Sequence, residues 1–585
     1  MTSDEKSSRA VLKRLFSYTK PYGIYLIGAL VSAMISVLLS LLIPVFLGKA
    51  VDLIVGQGNV NFGGLTRIII YMALFIGGSS VFQWIMSYCT AKITYYTVKD
   101  LRDSVFKKLN LVPLEIIDKT PHGNIINSMI NDIDAVSDGL LQGFTQLFSG
   151  IMTIIGTIGL MLSINPGMGF AVILLTPLSL FVASFISRRT YRKFTEQTEI
   201  KGEMGGLIEE LLGNQKLIKT FSYEDRALER FKAVNARLHE CGVMAQFYSS
   251  LTNPCTRFVN NMVYAAVGIL GAFSAIRGKL SVGQLTSFLS YANQYTKPFN
   301  EITGVITEFQ SALASAKRVF NLIDLEPESS DEHLPADIEA DGRVRLNDVS
   351  FSYDKNTPLI EGLNMDVKPG SRIAIVGPTG SGKTTVINLL MRFYDVDKGT
   401  IEVSGVDIKN MQRKTLRSLY GMVLQDTWLF EGTVRENIAY GKEDATEEEI
   451  INAAKAAYAH SFVKRLPNGY DTVITKEGSN LSQGQRQLLC IARVMLIKPP
   501  MLILDEATSN IDTRTEIHIQ KAFAKLMEGR TSFIVAHRLS TIKESDLILV
   551  MNQGRIIEQG THEELLSKEG FYHKLYYSQF HGTQG

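Results

Sequence analysis

A polytopic α-helical membrane domain followed by an α/β domain is the fold class that this sequence predicts. Three observations point there. Nearly all long uncharged runs lie before residue 300 of 585. From Arg343 onward, short strand-like runs alternate with helical patterns. One of those runs, Arg372 to Val376, leads straight into the glycine-rich stretch Gly377–Thr384, GPTGSGKT.

The first half carries the membrane signal. Val11 to Tyr18 is amphipathic, with Arg9, Lys13 and Arg14 beside Val11, Leu12, Leu15 and Phe16. A helix lying on the membrane surface and a short solvated lead-in both fit. Ile24–Leu47 and Ile68–Ala91 carry no charge and reach the length of about 20 apolar residues that a span needs. Gly139–Ser187 also has no charge, and Asn165-Pro166-Gly167 in its middle marks a turn between two spans. Phe258–Ile276 is a fifth span, and a sixth starts at Leu280 and grows more polar beyond Lys297. Six spans are thus expected, at approximately 23–47, 67–91, 139–164, 167–187, 256–276 and 280–308. The expected domains are a transmembrane domain over 1–322, an acidic linker over 323–342 and the α/β domain over 343–585.

Charge sets the orientation. Lys92, Lys99, Arg102, Lys107 and Lys108 lie in one long loop region, and Arg188, Arg189, Arg192, Lys193, Lys216, Lys219 and Arg226 in another. Basic loops stay in the cytoplasm, so an even number of spans leaves the second half there too. The expected location is the cytoplasmic membrane, multi-pass, in contact with the lipid bilayer. A net charge of only +2 gives no pull toward nucleic acid, and no nucleic-acid partner is expected. Cys89, Cys241, Cys255 and Cys490 have neither paired nor metal-ligand spacing, as in a reducing cytosol. The charged, polar N-terminus reads as lacking a cleavable signal.

The chemistry lies in the second half. Gly377-x-x-x-x-Gly382-Lys383-Thr384 after a strand and before a helix is a phosphate loop. Its glycines let backbone N–H groups close round phosphate oxygens, and the helix N-terminus adds a favourable dipole. The expected nucleotide contacts are Gly377, Pro378, Thr379, Gly380, Ser381, Gly382, Lys383, Thr384 and Thr385. Lys383 faces the β- and γ-phosphates, and the Thr384 hydroxyl binds Mg²⁺. A second apolar strand, Met501–Leu504, ends in Asp505 and Glu506. Asp505 is placed to hold Mg²⁺, and Glu506 to orient the attacking water. Phosphoryl transfer needs little more than such positioning and charge stabilisation.

In order and spacing these motifs resemble those of ABC transporters, and with six spans the chain resembles an exporter-type half-transporter over nearly its whole length. The α/β part is then an ABC-type P-loop nucleotide-binding domain. Leu481-Ser482-Gln483-Gly484-Gln485 resembles the family signature, with Gln483 where glycine is usual. The resemblance implies that Ser482, Gly484 and Gln485 bind ATP held by a partner domain. It implies that Gln425 senses Mg²⁺ and the membrane domain, that His537 contacts the γ-phosphate, and that Tyr353 stacks on adenine. Ser509-Asn510-Ile511-Asp512 matches the D-loop, and Glu115–Lys119 and Phe221–Asp225 are the expected coupling helices. An acidic residue usual in a cross-domain loop is replaced by Lys476, with Glu477 beside it.

The expectation is therefore an ATP hydrolase that drives export of a small, lipophilic compound, with ATP and Mg²⁺ as cofactors. One nucleotide domain per chain requires a second half-transporter. An unusual signature beside an intact Glu506 resembles the catalytically intact half of bacterial heterodimeric exporters, so a heterodimer is favoured over a homodimer. A homodimeric lipid or peptide exporter and an importer on the exporter fold are the alternatives. Asn293, Lys297 and Glu301 share one face of the sixth span, either lining the path or forming an interfacial pair. Tyr71, Phe75, Phe82, Trp84 and Tyr88 in the second span suit substrate contact or helix packing alike.

Overall fold

Long uncharged runs can satisfy their backbone polar groups within a bilayer only as helices, and the first half of the chain is built that way. The computed structural model describes residues 3–54, 60–355, 357–424, 427–475, 478–505, 511–536 and 539–580. They fall into two units, residues 1–111 with 121–325, and residues 112–120 with 326–585.

The first unit is all helical: α1 (Ser3–Thr19), α2 (Gly23–Asp52), α3 (Phe62–Leu109), α5 (His122–Asn127), α6 (Ile133–Gln142), α7 (Phe148–Ile164), α8 (Pro166–Gly213), α9 (Gln215–Thr220), α10 (Glu224–Ile276) and α11 (Val282–Ile323). Among the described residues, five helical segments are long and apolar enough to cross a membrane: Arg9–Asp52, Phe62–Leu109, His122–Ile164, Pro166–Gly213 and Glu224–Ile276. The chain turns between α7 and α8 where expected, at Asn165, whose side chain caps α8 by accepting from Met168 N. Two stretches, Ser128–Asp132 and Gly143–Leu147, widen to π-helical turns and join α5, α6 and α7 into one rod.

Leu15 on α1 is buried against Ile93, Leu101, Leu140 and Phe320, so α1 is part of the core rather than a lead-in. Its Arg14 donates two hydrogen bonds to Asp324, at 2.5 and 2.7 Å. The second short helix between long ones is α9; of the expected coupling helix Phe221–Asp225, residues 221–223 form the turn and Glu224 and Asp225 begin α10. Ser222 adopts a left-handed backbone there, with φ +50°, which ends α9.

α2 and α11 are clasped at the ends near residues 48 and 283. Pro44 removes one backbone donor from α2. Around it α11 reaches the α2 backbone: the Tyr291 hydroxyl donates to Leu41 O at 2.5 Å and Ser287 Oγ to Pro44 O at 2.7 Å. Asp52 then caps α11, accepting from Gly283 N and Ser281 Oγ, both at 2.7 Å. The backbones touch at a glycine pair, where a Cβ on Gly283 would lie 2.0 Å from Gly48 O. Further along α11, Arg318 pairs with the buried Asp132 at 2.5 Å. Asn293 and Lys297 are exposed on α11, and the side chain of Glu301 is outside the described residues.

The second unit contains α4 (Leu114–Lys119), the first of the expected coupling helices, and the α/β domain. Strands β1 (Val344–Phe351), β2 (Ile360–Val367), β4 (Lys398–Val403) and β5 (Val406–Asp407) form an antiparallel sheet in the order β2-β1-β4-β5. The main sheet has the order β12-β11-β3-β10-β9-β6. Its members are β3 (Arg372–Val376), β6 (Tyr420–Val423), β9 (Met501–Asp505), β10 (Thr531–Val535), β11 (Leu547–Asn552) and β12 (Arg555–Gly560), parallel apart from the β12 edge. β7 (Gly432–Thr433) and β8 (Val473–Ile474) make a small pair.

Helices α12 (Lys383–Leu390), α13 (Arg413–Ser418), α14 (Val434–Ala439), α15 (Glu447–Ala456), α16 (His460–Val463), α17 (Gln483–Ile497), α18 (Thr513–Met527), α19 (Leu539–Lys543), α20 (His562–Ser567) and α21 (Phe571–Phe580) surround the sheets. Successive residues of a strand point to opposite faces, and here both faces are dry. Met501 and Ile503 enter one core with Phe533, while Leu502 and Leu504 enter the other with Ile534. Burial on both faces is why these strands read as continuous apolar runs rather than as alternating ones.

The expected linker is pinned rather than loose. Arg413 N donates to Asp331 at 2.7 Å, and its guanidinium reaches Ser329 O at 2.9 Å. Residues from Glu326 onward group with the α/β domain.

Gly283→Ala should destabilise the protein by about 2 kcal/mol or more, because its Cβ meets backbone that no rotamer change can move. Gly77→Ala, where nothing lies within 4 Å, should be near neutral. Thermal unfolding of the two purified variants in detergent separates these outcomes.

Candidate nucleotide site

The phosphate loop sits where a buried parallel strand stops. β3 ends at Val376, and Gly377 follows it so tightly that a Cβ there would lie 2.2 Å from Met551 O. Gly382 has φ +96°, a left-handed conformation that favours glycine, and it is the N-cap of α12. The loop closes over itself, and Lys383 Nζ donates to Gly377 O and Pro378 O, both at 3.0 Å. Burial pushes the Lys383 ammonium below the ordinary lysine range, and the charge of Asp505 opposes that shift. Ser381 Oγ is buried with no hydrogen-bond partner among the described residues. Thr385 is buried, and Thr379, Gly380 and Thr384 are exposed.

Strand register brings the acid to the loop. Val535 of β10 pairs with Ile375 of β3 on one side and with Asp505 of β9 on the other. Asp505 is thus level with the last turns of β3, two strands away. Glu506 follows β9 directly in sequence, His537 lies two residues after β10, and Gln425 two residues after β6. Glu506, His537 and Gln425 lie outside the described residues, as do Lys476, Glu477, Ser509 and Asn510.

Tyr353 is held from two directions. Its hydroxyl accepts from Asn388 Nδ2 at 3.1 Å, and Asn388 is on α12, five residues after Lys383. Its ring meets Tyr394 edge-on at 5.0 Å and Phe351 at 4.9 Å. The Tyr394 hydroxyl in turn donates to Asp118 on α4. Burial, then Asp118, push the Tyr394 phenol far above its ordinary range, so it remains a donor. Neither Asn388 nor Tyr394 is visible as a site residue from sequence, because an isolated polar or aromatic residue after a helix carries no spacing signal.

The signature residues occupy a helix start. Ser482 is the N-cap of α17, where its Oγ accepts from Gln485 N at 3.3 Å and Gln485 Oε1 accepts from Ser482 N at 3.0 Å. This capping box leaves the Ser482 hydroxyl proton free to donate. Gly484 packs against α18 so closely that a Cβ would lie 2.4 Å from Thr515 Cγ2. Gln483 is the first helical residue and is half-buried.

The arrangement suits a nucleoside triphosphate. A loop of backbone donors, a half-buried lysine that donates to two carbonyls, and a buried hydroxyl with no partner among the described residues all converge after β3. An acidic strand end lies two strands away. That is a phosphate-binding donor set with a carboxylate suited to a hydrated divalent cation.

Comparison with known proteins agrees with this geometry. The family model described as ABC transporter transmembrane region matches residues 26–299, and that described as ABC transporter matches residues 360–509. The chain is 41% identical over 532 residues to a fatty acid ABC transporter ATP-binding/permease protein of Mycobacterium bovis, covering 90% of this chain and 83% of the relative. It is 34% identical over 581 residues to an ATP-dependent lipid A-core flippase of Syntrophus aciditrophicus, covering 97% and 94%. A bacterial Atm1-family ABC exporter solved with ATP bound superposes with a TM-score of 0.78 at 30% identity, covering 95% of this chain and 98% of the other. The nucleotide-binding domain is therefore an ABC-type ATPase fused to a multi-pass membrane domain and lies on the cytoplasmic side, and the chain belongs to the ABC transporters.

Proposed function

We propose that this protein uses ATP to export a lipophilic, acyl-chain-bearing compound across the membrane, working as a dimer with six spans per chain. The observation that carries the ATP part is the loop after β3: Lys383 folded onto two carbonyls, and the Ser381 hydroxyl buried with no partner among the described residues. Both groups gain strong acceptors when phosphates enter. α11 is the sixth span in this reading. The relatives named for fatty acids and for lipid A support the lipid class.

In the proposed mechanism, Lys383 and the loop N–H groups hold the phosphates, and Tyr353 holds the adenine. Thr384, Asp505 and Gln425 suit Mg²⁺, which would neutralise phosphate charge when bound. Glu506 orients the attacking water, and His537 contacts the γ-phosphate. Ser482 and Gly484 complete the site on the facing domain. One chain carries both a phosphate loop with its acid pair and a signature, so two identical copies supply both halves of both sites. Two copies therefore suffice, and the assembly proposed is the homodimeric lipid exporter, with the relatives named for fatty acids and lipid A in support of the lipid part.

The linear set Tyr353–Tyr394–Asp118 offers a route from the nucleotide to α4. Tyr394→Phe keeps the ring contact but removes the hydroxyl that Asp118 accepts. Nucleotide affinity should stay within about twofold, while amide exchange over residues 112–120 rises and substrate-stimulated ATPase falls. Unchanged exchange over that segment would remove the route.

Glu506→Gln should retain ATP binding and lose about 100-fold or more in hydrolysis, whereas Lys383→Ala should weaken binding itself. Near-normal turnover of the first variant, or unchanged affinity of the second, would overturn these roles.

The dimer and substrate class are read together. The affinity-purified protein should have the mass of two copies, and its ATPase should rise with fatty acid or lysolipid in nanodiscs. A different half-transporter co-purifying in equal amount would restore the heterodimer. Stimulation by a hydrophilic peptide alone would replace the lipid class.

A further inference from the structure

On α3, the uncharged run ends at Ala91 and Lys92 is the first charge after it. That boundary marks the cytoplasmic depth of the lipid headgroups. Just there a recess of about 380 Å³ opens on the helix surface, lined by Tyr88, Ala91, Lys92, Tyr95, Tyr96 and Lys99. Tyr88, Lys92, Tyr95 and Lys99 are spaced four, three and four residues apart, which places them in one row along α3. The junction of α1 and α2 meets the same place, because the Tyr22 ring stacks on Tyr96 at 5.1 Å. The end of the apolar run on α3 and the junction where α2 begins thus lie side by side.

The lining of the recess itself holds two cations and no carboxylate. The Lys92 ammonium lies over the rings of Tyr88 and Tyr96, at 5.7 and 5.4 Å. Cation–π contacts orient an ammonium but leave its charge uncompensated. Nearby, Asp134 pairs with Arg102 at 2.5 Å, and Asp100 holds the Tyr22 hydroxyl at 2.7 Å. Neither Lys92 nor Lys99 forms an ion pair among the described residues. The two lysines bracket the recess two helical turns apart, about 10 Å along the axis. The tyrosine hydroxyls of Tyr95 and Tyr96 add donors between them. Toward the membrane centre the same helix exposes Trp84 at 69% and Leu74 at 64%, a face suited to acyl chains.

We infer that this recess binds one anionic phospholipid of the cytoplasmic leaflet. Its phosphate lies between Lys92 and Lys99, and its chains run along the exposed apolar face of α3. The ligand is a membrane component at the outer edge of a headgroup layer, distinct from a compound in transit. A lysine near an anionic leaflet is worth about 1 kcal/mol, so two together give a selectivity for anionic over zwitterionic headgroups that a plain aromatic belt lacks.

The test uses the full-length protein without nucleotide, so its outcome is independent of the export reading. The protein is exchanged into detergent with an equimolar mixture of phosphatidylglycerol and phosphatidylcholine of matched chains, and retained lipid is counted by native mass spectrometry. Phosphatidylglycerol should be retained preferentially, and Lys92→Gln/Lys99→Gln should lose that preference about 30-fold. Lys107→Gln/Lys108→Gln removes the same charge from the same helix outside the recess and should keep it. Equal retention of the two lipids by the unmodified protein overturns the anionic ligand. Equal loss in both double variants overturns the placement. A Tyr95→Cys variant that forms a disulfide between two copies overturns the proposal by showing that a second chain covers the recess. Unfolding temperatures of both double variants distinguish a lost site from a lost fold.

Discussion

The register of three parallel strands is the constraint on which the nucleotide site depends. Val535 pairs with Ile375 and with Asp505 at once, so β3, β10 and β9 end along one edge. The phosphate loop leaves the first of these ends, and the acid pair leaves the third. A slip of one residue in either ladder would turn the apolar side chains of that strand to the wrong core. The two cores on opposite faces of the sheet therefore hold the spacing of the chemistry, although no core residue takes part in it. Gly377 shows how little slack remains, since Met551 O occupies the space that any side chain would need.

How legible this was in the sequence differs between the halves. Strand ends and the phosphate loop were readable because their residue types have few other uses at that spacing. The sheet order was not, because β3, β10, β9 and β6 are similar apolar runs with no mark of who pairs with whom. In the membrane half, the absence of charge located the helices well. Their ends are harder: the short helix α9 lies just before Phe221–Asp225, where a coupling helix is expected and where the chain instead turns at residues 221–223 into α10, and Ser222, whose backbone sets that boundary, looks ordinary. Contacts between distant residues left no trace at all. Tyr394 and Asp118 are 276 positions apart, and neither has a neighbour that hints at the other.

Several residues singled out for chemistry also carry local structure. Ser482 and Gln485 close a capping box, and Gly484 admits α18 against α17. A substitution at any of these would disturb the start of α17 as well as a bound phosphate. Gln483, the departure from the usual signature, sits at the first helical position, where a long polar side chain is tolerated without cost to the cap. The same economy appears in the linker, where acidic residues that suggest a solvated tether are the acceptors for Arg413.

α11 has a consequence of its own. At 42 residues it is a lever about 63 Å long. One arm is fastened to α2 through Ser281, Gly283, Ser287 and Tyr291, and the other carries Arg318 into its pair with Asp132. Pro298 lies between the two fastenings and deprives the helix of one backbone bond there. Bending is therefore cheapest at Pro298, and a bend of about 5° carries the far arm several ångströms by the helix's length alone. The clasp at Gly48 and Gly283 can stay shut while the opposite arm swings, so the two ends of one helix need not move together.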